Sequence, residues 1–97
     1  MLTATGNINQ PYEVIGVVHA TAARVAEKGG CGNSRGIPVE AAYQAATVAL
    51  QEAARLSNAD ALIHVGYDYR MATSQVGCNT AEPSFEVYAW GTAVKLT

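Results

Sequence analysis

The apolar and polar positions along the chain predict three strands and one helix. Residues 12–19, YEVIGVVH, follow Pro11 and are rich in β-branched side chains, which is typical of a strand. A second strand is expected over residues 61–71, where the sequence ALIHVGYDYRM alternates between apolar and polar residues. The last strand is expected over residues 85–96, with a bend or bulge at Gly91.

The alternation in the second strand assigns its side chains to two faces. One face is expected to hold Ala61, Ile63, Val65, Tyr67, Tyr69 and Met71. The other face is expected to hold Leu62, His64, Gly66, Asp68 and Arg70. A strand with this pattern buries its apolar face and presents its polar face to water.

A single long helix is predicted from Val39 to Leu56, because this run contains no glycine or proline and Pro38 fits the first helical position. Its apolar residues follow the 3.6-residue period of a helix. Those expected to face the sheet are Val39, Ala42, Tyr43, Ala46, Ala49, Leu50, Ala53 and Leu56. The residues expected on the exposed side are Glu40, Gln44, Thr47, Gln51 and Arg55. Asn58 is expected to end the helix in a left-handed conformation.

Two segments between these elements are expected to lie outside regular strands. Ala22, Ala23 and Ala26 predict a short helical turn, and the glycine-rich sequence GGCGNSRG that follows at residues 29–36 predicts a mobile loop. The sequence TSQVGCNTAEPS at residues 73–84 predicts a polar connector between the last two strands.

The order of elements is β-α-β-β, which defines an α+β fold: a three-stranded, antiparallel-type sheet with one long helix packed on one face. A chain of 97 residues has room for one domain, residues 1–97. The first and last strands carry apolar residues on both faces, and one helix can cover only one of them. A second copy of the chain is therefore expected to cover the other face, so the protein is predicted to be a homo-oligomer with closed symmetry.

Composition narrows the set of partners. Charged residues make up 14% of the chain and hydrophobic residues 49%, which favours a surface that is partly covered by other subunits. The net charge of -2 provides no positive field, so neither nucleic acid nor an anionic membrane surface is an expected partner. The first nine residues do not resemble a secretory signal, and a cytoplasmic location is expected.

Several short sequences, taken in order, resemble one known family. They are EVIGVV in the first strand, the glycine-rich loop, NADA at residues 58–61 after the alanine-rich helix, Gly66 with DY at residues 68–69, and GTAV at residues 91–94. In this combination the chain resembles the YbjQ-like family of heavy-metal-binding domains over nearly its whole length. The resemblance implies a dodecin-like β-α-β-β subunit assembled as a ring, often a pentamer. It supplies no fixed set of metal ligands.

Four residues are candidate ligands for a transition metal ion, because thiolate and neutral imidazole are the donors that zinc and copper prefer. They are His19, Cys31, His64 and Cys78. Their spacing forms no zinc ribbon or CxxC motif, and the alternative is that they are ordinary polar-face and loop residues. One disulfide is conceivable in an oxidising compartment. In a ring, a symmetry axis could instead collect one His64 or one Cys31 from each copy.

Other side chains suggest weaker hypotheses. Asp68 and Arg70 share the predicted polar face with His64, where they could form an ion pair or a binding patch. The aromatic residues Tyr67, Tyr69, Tyr88 and Trp90 could line a pocket for a flat ligand or simply fill a core or interface. Ser34 and Arg35 could bind an anion, although the segment lacks the ending of a phosphate-binding loop.

Two functions from different classes follow. The first is a ring that binds a heavy metal or small ligand, using His64, Asp68 and the cysteines. The second is a structural or scaffolding ring that recognises a macromolecular partner and holds no metal. No nucleophile elbow or triad spacing is present in the sequence, so the protein is not expected to be an enzyme.

Overall fold

A computed structural model describes residues 1–25, 28–30, 33–34, 39–76 and 80–97. The described elements are β1 Leu2–Thr3, β2 Tyr12–Val25, β3 Lys28–Gly30, β4 Asn33–Ser34, α1 Val39–Leu56, β5 Ala61–Val76 and β6 Thr80–Leu96. Four of the strands form one mixed sheet in the order β1-β5-β6-β2, and β3 pairs only with β4. The α+β class with a single helix is thus confirmed for the described part of the chain.

The expectation of a three-stranded, antiparallel sheet is wrong, because the N-terminal segment adds a fourth strand. β1 pairs in parallel with β5, with Leu2 opposite Ala61. The Ala4 N–H then donates to the Leu62 carbonyl at 2.9 Å, and the Val65 N–H donates to the Ala4 carbonyl at 3.0 Å. A strand of two residues has no hydrophobic period, so sequence pattern alone does not detect it.

Helix α1 lies against the sheet through a row of small side chains. Ala42, Ala46, Leu50 and Ala54 recur every four residues and are fully buried. Alanines contribute little buried area each but bring the helix backbone close to the sheet. The helix ends as expected: Asn58 has a φ of 64°, and the Ala59 N–H donates to the Ala54 carbonyl at 3.0 Å.

The expected division of the helix into faces is wrong at its margins. Thr47 and Gln51 were expected in water but are half-buried, and both hydrogen-bond to the sheet layer. Val39 and Leu56 were expected inside but are exposed. The reason is that the buried residues lie four positions apart, from Ala42 to Ala54. This row turns slowly around the helix, so it passes beside Thr47 and does not include Val39 or Leu56.

Buried side chains form two clusters on opposite faces of the sheet. The larger one lies under the helix and includes Leu62, Val65 and Ala93. The smaller one contains Ala61, Ile63 and Val94, with Ile8, Tyr12 and Leu96 packed against it. Because neighbouring residues of a strand point to opposite faces, these clusters lie on the two sides of the sheet. The N-terminal segment therefore covers one end of the face that lacks a helix.

A β-bulge interrupts the expected alternation of β5. The pairing with β6 shifts between Ile63 and Gly66, and His64 within this interval has a φ of 52°. The extra residue moves Val65 and Tyr67 to the helix side, away from the side that holds Ala61. The bulge expected at Gly91 occurs at that position of the ladder, because Gly91 lies opposite the irregular interval, but the extra residue belongs to β5 rather than to β6. A separate register shift lies in β2, between Val14 and Gly16.

The three long strands continue beyond their expected ends. Ala22 and Ala23 lie in β2 rather than in a helical turn, while Ala26 falls outside the described residues. Most of the expected connector at residues 73–84 belongs to β5 and β6, where Thr73 pairs with Pro83. Part of the expected glycine-rich loop forms the β3–β4 ladder. Alternation of short polar residues in the sequence does not distinguish a strand ladder from a loop.

This extension gives the molecule an elongated shape. The radius of gyration is 16.9 Å and the extents are 56 × 19 × 16 Å, whereas a compact chain of this length has a radius of gyration of about 12–13 Å. β2 ends opposite Ser84, and beyond this point the described residues form a two-stranded β5–β6 arm, residues 73–76 and 80–83. The described part of the chain contains no helix with the length and hydropathy needed to cross a bilayer.

Candidate functional site

The sheet face opposite α1, here called the open face, carries most of the side chains that could bind a ligand. It consists of Val14, Val17, His19, Thr21, Gly66, Asp68, Arg70, Glu86, Tyr88, Trp90 and Thr92. β6 lies in the middle, so each of its residues has a neighbour on β2 and another on β5. Cross-strand partners stand about 4.5–5.5 Å apart and face the same side. The open face is therefore organised in rows across three strands.

Two of these rows set the character of the surface. Trp90 lies between His19 and Gly66, and Tyr88 lies between Thr21 and Asp68. The face has an apolar end around Val14 and a polar end beyond Tyr88. The apolar end adjoins the smaller buried cluster, because Val14 pairs with Val94.

The indole of Trp90 lies directly over Gly66. A Cβ placed on Gly66 would stand 2.5 Å from Cζ2 and 2.6 Å from Cε2 of that indole. Glycine is therefore required at this position by the close approach of a ring, as is known for aromatic side chains that cover a glycine on a neighbouring strand.

His19, Tyr88 and Trp90 form a short aromatic strip on the open face. The Tyr88 and Trp90 ring centroids are 5.6 Å apart at 39°, and the His19 and Tyr88 centroids are 5.9 Å apart at 47°. The four aromatic residues considered for a ligand pocket do not share one face, because Tyr67 and Tyr69 lie on the helix side. There the Tyr67 hydroxyl contacts Thr47 Oγ1 at 2.6 Å, and Tyr69 stacks on Phe85 at 5.0 Å.

Charged residues surround a groove at the polar end. Arg70 Nη2 lies 3.4 Å from Glu86 Oε2, so the cation pairs across the strands rather than with Asp68. Asp68 Oδ1 accepts a hydrogen bond of 2.8 Å from the Tyr69 N–H. The groove has a volume of about 290 Å³. It is lined by Thr21, Asp68, Tyr69, Arg70, Glu86, Val87 and Tyr88.

Sequence reasoning missed Thr21 and Glu86 as groove residues. The pattern assigns Glu86 to the last strand without a role, and the predicted first strand ends at His19, before Thr21. The signal that could have found them is the antiparallel pairing of the first and last strands, because it sets residues from both strands side by side.

The structure describes two of the four candidate metal ligands, His19 and His64, and they lie on strands that β6 separates. His64 is exposed in the bulge, where its N–H donates to the Gly6 carbonyl at 3.0 Å. His19 lies on β2, and β6 separates it from β5. Cys31 and Cys78 lie outside the described residues, as does Arg35 of the anion hypothesis. Among the described residues, no three His, Cys, Asp or Glu side chains are grouped to hold a metal ion.

The outer surface of α1 carries a second concave surface, whose lining is mostly apolar. A shallow hollow of about 750 Å³ is lined by Ala41, Gln44, Ala45, Val48, Ala49 and Glu52. Arg55 Nε donates to Glu52 Oε2 at 3.0 Å, and this hydrogen bond lowers the pKa of Glu52 and raises the pKa of Arg55. Both side chains are largely exposed, so the pair contributes little to folding.

The helix on one face, the open second face and the β-α-β-β order with an added N-terminal strand define a small α+β domain. The whole chain, residues 1–97, matches the YbjQ-like family, whose description is "Putative heavy-metal-binding", and the chain belongs to that family. The resemblance found in the sequence is confirmed at the level of the family.

A solved structure shares the fold. It is the crystal structure of a protein with unknown function of the DUF74 family from Pediococcus pentosaceus, with a TM-score of 0.72 and 23% sequence identity. The match covers 100% of this chain and 98% of that one. No curated protein matches the chain.

Proposed function

We propose that the protein is a self-associating, non-enzymatic binding protein that holds a transition metal ion at sites completed by more than one copy of the chain. The family description supports metal binding, and the surface of the single chain supports association. A closed ring, with a pentamer as the expected size, and a cytoplasmic location stay predictions of this proposal.

The uncovered apolar surface is the observation that carries the proposal. Val17 is 74% exposed at the apolar end of the open face, and Val48 is 65% exposed on the outer surface of α1. These residues lie on opposite sides of the molecule, which suits a head-to-tail contact that closes into a ring. Apolar area of this kind is stabilised by burial at about 25 cal/mol per Å².

The two-stranded arm points to the same conclusion. A hairpin of two strands is marginally stable in water by itself and needs a third strand or a packed face. In the described residues, β2 does not extend along the arm beyond Ser84. Contact with a second copy would supply the missing cover.

Metal binding then rests on exposed imidazoles that, among the described residues of one chain, are not grouped with enough further donors. His64 stands in a fixed bulge with its side chain in solvent, and His19 lies at the side of the aromatic strip. Zinc sites use three or four protein donors. The remaining donors would come from a second copy or from Cys31 and Cys78.

Native mass spectrometry of protein purified without chelator or affinity metal tests both parts of the proposal. We expect a mass that is a multiple of 10.1 kDa with added mass of a metal ion. His64→Asn is the informative variant, because asparagine tolerates the left-handed backbone at position 64 but removes the imidazole. It should keep the assembly and lose the metal, as should Cys31→Ser or Cys78→Ser if these thiols are ligands.

The scaffolding function is the second candidate, and the lack of a three-donor group among the described residues of one chain favours it. A stable ring with no added mass, in buffers supplemented with zinc or copper, would contradict the metal proposal and leave the scaffold. A stable mass of 10.1 kDa at micromolar concentration would contradict both.

A further inference from the structure

We propose that the groove at the polar end of the open face binds an organic cation, with a quaternary or alkylated ammonium group over the Tyr88 ring and beside the Asp68 carboxylate. This inference is independent of the proposed metal site, because it uses neither His64 nor the cysteines. It assigns a role to the charged and aromatic residues that the metal proposal leaves unused.

The aromatic ring is available to a ligand. Tyr88 is 42% exposed, and its neighbours on the strip, His19 and Trp90, meet it at tilted angles. A tilted arrangement leaves part of the ring face open to the groove. The electron-rich face of a tyrosine attracts a cation within about 6 Å of the ring centroid.

In the part of the chain that the structure describes, a carboxylate stands beside this ring without a cationic partner. Asp68 is directly opposite Tyr88 on β5 and is exposed. One of its oxygens accepts the Tyr69 N–H, and no Lys, Arg or His side chain within the described residues pairs with it. The second oxygen is therefore free to face a charge over the Tyr88 ring.

The remaining lining fixes the sign of the ligand. Glu86 and Asp68 supply two negative charges, and Arg70 supplies one positive charge that is already paired with Glu86 at 3.4 Å. Thr21 adds a hydroxyl from the opposite strand. A groove with a net negative charge and an exposed aromatic face disfavours an anion and favours a cation.

The size and chemistry favour an organic cation over a metal ion. A volume of about 290 Å³ is at the lower end of the range for small-molecule sites. Two carboxylates on different strands, one of them paired with arginine, do not form a metal cage. An alkylammonium group instead gains from contact with the ring as well as from the charge.

Choline is the probe, and 3,3-dimethylbutan-1-ol is its matched control, because the two differ in charge but hardly in shape. Binding to the full-length assembly is measured by isothermal titration calorimetry and by the fluorescence of Trp90, the one tryptophan of the chain. We expect choline to bind and the neutral alcohol to bind at least about 5-fold more weakly. Two outcomes would overturn the proposal. One is equal binding of choline and the alcohol, and the other is no choline binding at about 10 mM, a concentration at which even a weak site is occupied.

Variants separate the charge from the ring. Asp68→Asn and Tyr88→Leu should each weaken choline binding about 5- to 30-fold, whereas Tyr88→Phe should stay within about 3-fold of the wild type, since phenylalanine keeps the aromatic face. Glu40→Gln is the control, because it removes the same charge from an exposed site on α1. If it weakens binding as much as Asp68→Asn does, attraction to the net charge explains the result and the site is wrong.

Discussion

Gly66 has no Cβ at the point where the indole of Trp90 occupies the space that a Cβ would need. The backbone of β5 and the Trp90 indole on β6 thus pack closely against each other on the open face. Gly16, on β2, provides a natural comparison, because a Cβ added there would meet nothing within 4 Å. Both glycines lie next to a bulge, but only Gly66 is required by a neighbouring side chain.

Gly66→Ala is expected to lower the free energy of unfolding by about 1–3 kcal/mol, because the indole must move away. Gly16→Ala should leave it unchanged or raise it slightly, since alanine restricts the unfolded chain. Urea unfolding at one fixed protein concentration, followed through Trp90 fluorescence, measures both. Equal effects of the two substitutions would show that the Trp90 indole does not restrict the residue at position 66.

His64 illustrates a second residue-scale constraint, the left-handed backbone of the bulge. Its φ of 52° is unfavourable for most side chains and especially for β-branched ones. The sequence contains no sign of this conformation, because histidine in an alternating run is typical of the polar face of a regular strand.

We expect His64→Gly to preserve or increase the free energy of unfolding and His64→Val to decrease it by about 1–2 kcal/mol or more. The two substitutions remove the same imidazole, so the loss of that side chain cancels in their difference, and the positive φ favours glycine. Thermal unfolding monitored by circular dichroism measures it. A valine variant as stable as the glycine variant would mean that position 64 does not hold a positive φ.

At the scale of elements, α1 is the part of the fold that the sequence predicts best, from Val39 to Leu56 with Asn58 as its cap. The side of α1 that faces the sheet was harder to predict. Alanines occur around much of the helix, so the hydrophobic pattern does not distinguish a buried alanine from an exposed one. The contacts of Thr47 and Gln51 with the sheet layer decide which side faces inward. Such contacts depend on the sheet and have no signal in the helix itself.

Thr47→Val and Tyr67→Phe should each lower the free energy of unfolding by about 1 kcal/mol, since each removes one partner of the 2.6 Å hydroxyl contact. The double variant should cost less than the sum of the two, because the contact is already lost after the first change. A double-mutant cycle in urea measures the difference. Strict additivity would show that the two hydroxyl groups do not interact.

At the scale of the whole molecule, the sequence predicted the class, the helix and the central parts of the three long strands. It did not predict β1 or the arm, and it placed the bulge on β6 at Gly91 instead of on β5 opposite that residue. β1 depends on pairing with distant residues, and the bulge depends on the N-terminal segment at Ala4 and Gly6. The open-face groove could be predicted only in part, because Asp68 and Arg70 shared a predicted face, while Glu86 and Thr21 reach it through strand pairing.

The proposed assembly should be visible in the arm. We expect backbone amides at residues 73–76 and 80–83 to exchange slowly at high protein concentration and to exchange faster on dilution, before those beneath α1 do. The reason is that, in the part of the chain that the structure describes, neither the helix nor a third strand of the main sheet runs along the arm. Hydrogen exchange with mass spectrometry over a dilution series measures this, and exchange that does not vary with concentration would contradict association through the arm.

The arm also limits how the chain can change in length during evolution. Each strand residue adds about 3.4 Å, and successive side chains point to opposite faces. Removing one residue from β5 and one from β6 would invert every side chain beyond that point, whereas removing two from each would shorten the arm by about 7 Å and keep its faces. We therefore expect insertions and deletions in this ladder to occur in pairs, which makes its length adjustable in discrete steps while the helix-covered part stays the same.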